Sequence, residues 1–146
     1  MNRDFINYML GLGIVIRRPE ADKELDQNVV AVEGTYRVRP TKGDHVRLFV
    51  RKSNTYYPQA PINFDFDRER SAWQCPRAWI NAGPKPQNYE IIVARVSDDL
   101  AVSLRHYDTA HKATGHWIGI EMESPPPGFE RLASVNVVRS TKPPAK

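Results

Sequence analysis

One cysteine, Cys75, stands among 146 residues, so no disulfide can close within the chain and the fold must be held by packing. It lies in AWQCPRAW, an apolar and aromatic run, and reads as buried packing rather than as a nucleophile. Long hydrophobic stretches are missing as well. The apolar part of the opening segment, Tyr8 to Ile16, falls far short of the ~20 residues that span a bilayer. Asp4 precedes it and no small-residue cleavage pattern follows, so neither a signal peptide nor a membrane span is expected. The expected compartment is the cytoplasm, with a surface or secreted domain lacking its signal as the alternative. Blocks of like charge are absent too. Lys and Arg number 21 against 17 Asp and Glu, for a net charge of +4, but the signs interleave, as in RRPEADKELD over residues 17–26. That dispersion describes a solvated basic surface and speaks against nucleic acid as the partner. There is no GxSxG elbow, and GLG at residues 11–13 lacks the spacing of a phosphate-cradling loop.

What is present is the length and composition of one soluble domain. Forty per cent of residues are hydrophobic and 26% charged, and the 12 prolines fall where turns are needed. A single domain is expected over residues 1–140, with the polar, proline-bearing tail 141–146 disordered. LGIVIRRP predicts a short strand closed by Pro19. NVVAVEGTYRVRP alternates, with Val30, Val32, Gly34, Tyr36 and Val38 on one side, the pattern of a half-buried strand. HVRLFVRK resumes the alternation, so residues 29–52 predict a hairpin or two neighbouring strands. SNTYYPQAP reads as a loop, and INFDF as a further alternating strand. Pro76 makes AWQCPRAWI an edge strand or a bulge. NYEIIVARV is apolar on both faces and predicts a central strand covered twice. HWIGIEM and FERLASVNVVRS supply the last strands.

Three of the four histidines crowd into HYDTAHKATGHW. The segment before and through them carries helix signals: Ser97 as N-cap, Asp98 and Asp99 in the first turn, and Gly115 as stop. Leu100, Leu104, Tyr107 and His111 form one apolar stripe, so a helix is expected near residues 98–113. The rival is a strand over 100–106 paired with 116–122, which would set His106 against His116. On a helix, a step of five residues turns about 140° around the axis, so His106 and His111 point apart. Zinc ligands on a helix want spacings of three or four. His106, His111, His116 and Asp108 are therefore carried only as candidate ligands of a metal-dependent hydrolase, and no cofactor is expected. Asp65 and Asp67 are a candidate calcium pair, with ion pairs to Arg68 and Arg70 as the plainer account.

The first two thirds, IVIRRP…VVAVEGTYRV…DHVRLFVRK…FDFDRERSAWQ…NYEIIVARVSD, resembles a bacterial immunoglobulin-like module over residues 12–98. The end, with Tyr107, TGHWIGI, PPG and VNVVR, resembles C-terminal parts of uncharacterised bacterial proteins. The resemblance implies an accessory or interaction domain, although the cysteine pair of antibody-type domains is missing and a helix is inserted. The expected fold is thus mainly β, an antiparallel immunoglobulin-like sandwich with one additional helix. The expected function is a non-catalytic module that engages a protein or a carbohydrate through aromatics at Tyr56, Tyr57 and Trp79. The alternatives are the histidine-based hydrolase and a nucleic-acid or polyanion binder.

Overall fold

The computed structural model describes residues 12–38, 40, 45–53, 55–64, 72–80, 85–114, 120–121 and 128–140. The expected tail, His116, Trp117, Asp65 and Asp67 lie outside the described residues. In chain order the elements are β1 (Val15–Arg18), β2 (Glu24–Leu25), β3 (Val29–Thr35), β4 (His45–Lys52), β5 (Thr55–Pro61), β6 (Asn63–Phe64), β7 (Ala72–Trp79), β8 (Gln87–Val96), α1 (Asp98–Thr114), β9 (Ile120–Glu121) and β10 (Phe129–Arg139). They build two sheets, ordered β1-β3-β7-β6 and β2-β10-β8-β4-β5-β9. All strand pairs are antiparallel except β2 with β10.

The six-stranded sheet forms the middle of three layers. β8 runs between β4 and β10, and its residues alternate between two apolar environments. Tyr89, Ile91 and Val93 meet Val32, Trp73, Cys75 and Ala78 of the four-stranded sheet. Ile92, Ala94 and Val96 turn the other way, joining Phe49, Tyr56 and Leu104, with Leu100 and Ala101 of α1 and Phe129 packed against them. A strand with no polar face is stable only when covered on both sides, and here a sheet covers one face and a helix the other. β4 follows suit, sending Leu48 and Val50 inward and Phe49 outward.

Local chemistry starts and places the helix. Ser97 Oγ accepts the Leu100 N–H (3.2 Å), and Asp98 and Asp99 occupy the positive end. Ser97 N–H in turn donates to the Gly128 carbonyl at 2.8 Å, tying the helix start to the entry of β10. Gly128 has φ of 85°, and a side chain there would collide with Ser97, so this position requires glycine. Residues 100–106 are helical, which removes the rival strand and its pairing of His106 with His116.

Two local expectations are corrected. β3 and β4 do not form a hairpin; they belong to opposite sheets, because alternation marks a face and does not choose a neighbour. SNTYYPQAP is not a loop. Lys52 pairs with Thr55 across a two-residue connection, and Ser53 takes the positive φ (53°) that such a tight turn needs. With no glycine in the turn, the hairpin had no obvious marker. The charged stretch of residues 20–27 contains the two-residue strand β2, whose Leu25 is buried. The bulge expected at Pro76 is present, as a register shift between Val30 and Val32 of β3 opposite β7.

Gly34 lies under the indole of Trp73, which is itself 1% exposed and donates its Nε1–H to the Thr35 carbonyl at 3.1 Å. A methyl group there would overlap the Val15 carbonyl oxygen and stand 2.8 Å from Trp73 Cζ2. Gly34→Ala should therefore destabilise the fold by about 2–3 kcal/mol in urea unfolding; a loss below about 0.5 kcal/mol would show that β1 and Trp73 pack less closely than this.

Candidate functional site

The three aromatic candidates lie on three sides of the layers. Tyr56 is 5% exposed on β5, with its ring 5.8 Å from that of Phe129 in an edge-on arrangement. A ring so placed serves the contact with α1, and Tyr56 is withdrawn as a binding residue. Tyr57, its neighbour on the strand, points the other way and packs half-buried against the core between the sheets. Trp79 ends β7 and is 39% exposed. β7 alternates past the bulge, so Trp73, Cys75 and Ala78 turn inward and Trp79 is left outward.

Hydrogen bonds connect these residues through two that the sequence did not single out. Gln59 is 1% exposed; its Nε2 donates to the Tyr57 carbonyl (3.0 Å) and its Oε1 accepts the Trp79 N–H (2.9 Å). Arg47 Nε donates to the Gln59 carbonyl at 2.7 Å. The rest of that guanidinium makes a fork to Asp108 of α1, with Nη1 to Oδ2 at 3.0 Å and Nη2 to Oδ1 at 2.6 Å. The chain Trp79–Gln59–Arg47–Asp108 crosses from one sheet, through the other, to the helix. Asp108 is consequently engaged by an arginine rather than presented to a metal.

His106, the one other candidate with a described side chain, does not join it. His106 is exposed on the outer side of α1, His111 has no described side chain, and His116 lies outside the described residues. Among the described residues, no group of three His, Cys, Asp or Glu side chains converges on one point. The fourth histidine, His45, bonds Asp98 Oδ1 through Nε2 at 2.7 Å, bracing β4 against the start of α1. Cys75 is fully buried, and that burial pushes its thiol above its ordinary pKa, so it stays protonated and inert, as its apolar context implied.

Several arginines are paired with carboxylates of the same chain. Arg18 meets Glu33, Arg47 meets Asp108, Arg95 meets Glu130, and Arg51 and Arg131 both meet Glu90. Arg139 is fully buried at the end of β10, donating to the carbonyls of Ile80 and Ser140 and to Asn28 Oδ1. Neither buried arginine was predictable from a one-dimensional pattern. Alternation marks Arg47 as facing away from Leu48, but Asp108 and Gln59 arrive from distant elements. No described helix is long and apolar enough to cross a membrane.

Among the described residues, the outward face of the four-stranded sheet holds the exposed aromatic Trp79. The Arg77 guanidinium carbon stands 6.0 Å from the centre of the Trp79 ring, at the outer limit of a cation–π contact. Val29 of β3 lies directly opposite Trp79. Trp79, Arg77 and Val29 form a small apolar and cationic platform on rigid strands. No family model, curated protein or solved structure matches the chain.

Glu90 allows a direct check of the electrostatics. Burial alone would raise its pKa, but the hydrogen bond from Arg131 and the charges of Arg131 and Arg51 outweigh burial and hold it below the ordinary 4.5. A depressed carboxyl stabilises the fold above its unfolded value, and that contribution is lost as pH falls through the folded one. Wild type should thus exceed Glu90→Gln in stability at neutral pH, the two converging below pH 4.5. A difference that stays constant across that range in thermal unfolding would contradict the pairing.

Proposed function

We propose that this chain is a non-catalytic binding module of immunoglobulin-like architecture, and that it engages a protein or carbohydrate through the platform around Trp79. Strand order supports the architecture. Immunoglobulin sandwiches set strands A-B-E-D in one sheet and C-F-G in the other, with C′ added beside C in the variable type. Lettering β1, β3, β4, β5, β6, β7, β8 and β10 from A to G reproduces A-B-E-D and G-F-C-C′. The departures are a buried tryptophan on β7 rather than on β4, no cysteine pair, and α1 inserted between the last two lettered strands.

The observation that carries the functional reading is the exposure of Trp79 beside Arg77. Isolated aliphatic side chains at a surface are ordinary, but an exposed indole offers a large rigid area at small entropic cost. Indole and guanidinium are also among the groups enriched in residues that dominate binding energy. By contrast the outer face of the six-stranded sheet is covered where Phe49 and Ile92 meet α1. The hydrolase finds no support in the geometry of Asp108, and the polyanion reading none in the paired arginines.

The platform is tested by tryptophan accessibility and by ligand capture together. In a Trp117→Phe background, acrylamide should quench Trp79 and spare Trp73. Panels of glycans and of protein fragments should yield a ligand that protects Trp79 from quenching and whose affinity falls about tenfold or more in Trp79→Ala. A ligand indifferent to Trp79→Ala would overturn this placement of the site.

A further inference from the structure

β3 is paired along only half of one side. β1 covers it from Thr35 to Glu33 and ends at Arg18. The chain then leaves through Pro19 for the other sheet, where Glu24 and Leu25 lie parallel to Val138 and Arg139 of β10. Among the described residues, no strand pairs with Val29–Val32 on the side that β1 vacates.

The aim of the backbone groups there follows from the opposite side. Residues facing each other in an antiparallel ladder exchange both hydrogen bonds or neither. Trp79 faces Val29, yet its N–H donates to Gln59 Oε1. One residue further on, the Ile80 N–H donates to the Asn28 carbonyl at 2.8 Å. Val29 therefore sits in a non-exchanging pair, and its N–H and C=O point away from β7. By alternation those of Ala31 do the same, and Ala31 is exposed. Native sheets guard such edges because an open row of donors and acceptors is a template for another strand. Here the row borders a cleft of about 430 Å³ lined by the apolar Pro19, Leu25 and Val30 and by Arg18, Lys23 and Glu20. Arg18 is paired with Glu33 at 3.6 Å, so the charges around the cleft balance and its apolar lining sets its character.

We infer that the open edge of β3 docks an extended strand of a protein partner, which exchanges main-chain hydrogen bonds with Val29 and Ala31 and sets an apolar side chain into the cleft against Pro19, Leu25 and Val30. This is strand addition: the backbone supplies affinity, and the cleft selects alternate side chains. The added strand would lie next to β3, with only that strand between it and Trp79. The inference rests on the reading of the chain as a binding module and names its partner as extended polypeptide rather than sugar.

The experiment uses the full chain and phage-displayed random peptides, followed by amide hydrogen exchange with the best synthetic peptide. In the free protein, Val29 and Ala31 should exchange fast while Val30 and Val32 are protected. Bound peptide should slow Val29 and Ala31 by about tenfold or more. N-methylation of the peptide at alternate amides should abolish binding in one register and spare it in the other. Ala31→Pro, tolerable at an edge position, should weaken the peptide by about tenfold and leave the melting temperature near that of wild type. If no peptide is recovered, or if a bound peptide leaves exchange at Val29 and Ala31 unchanged, the inference is overturned. Failure of the platform reads differently: a peptide that protects Val29 and Ala31 but ignores Trp79→Ala keeps the edge and removes the platform. A glycan that needs Trp79, with no peptide recovered, does the reverse.

Discussion

β8 has no side that can face water. Ile91 and Val93 turn to one face and Ile92 and Ala94 to the other, and all four are fully buried. Such a strand forces a three-layer solution, since each apolar face must be removed from solvent by some other element. The four-stranded sheet answers the first face and α1 the second. The position of α1 directly after β8 in the chain makes the second cover local. Ser97 turns the chain, Gly128 receives it, and Leu100 and Leu104 drop onto the face that β8 has just presented.

Apolar burial brings layers together without fixing how they sit. Directional groups do that here. Arg47 and Gln59 bind β4, β5, the end of β7 and α1 in one run of hydrogen bonds, and Arg139 gathers the carbonyls at the end of β10. A buried guanidinium costs several kcal/mol in desolvation, which only a full set of acceptors offsets. Removing Asp108 would leave a charge with no outlet, so the network penalises every arrangement in which α1 slides along the sheet. Its members are also the reason that Asp108, which sequence proximity grouped with the histidines, has a different occupation.

How far the sequence could be read depended on the range of the interaction involved. Periodicity and capping are local, and they correctly marked β3, β4, β8, α1 and the bulge at Pro76, together with the burial of Cys75. What failed was pairing. Alternation said that Val32 and Leu48 face a core; it did not say that they face the same core from opposite sheets. Tyr56 and Tyr57 read as loop residues because no glycine marks the turn at Ser53. Trp79 was legible as a binding candidate by residue type, but its exposure depends on the shift of register beyond Pro76. The open edge of β3 was invisible, since it arises from where β1 departs and not from any property of Val29 or Ala31.

Two covers for one strand is the claim on which the placement of α1, the withdrawal of Tyr56 and the choice of the opposite sheet as the free surface all depend. Ile91 and Ile92 test it most directly, being adjacent, chemically identical and aimed at opposite faces. Equilibrium unfolding of Ile91→Ala and Ile92→Ala should show losses of about 2–5 kcal/mol in both. A comparable loss at Ile91 with less than about 0.5 kcal/mol at Ile92, the cost of a surface change, would mean that the helix does not cover the sheet and would contradict the account.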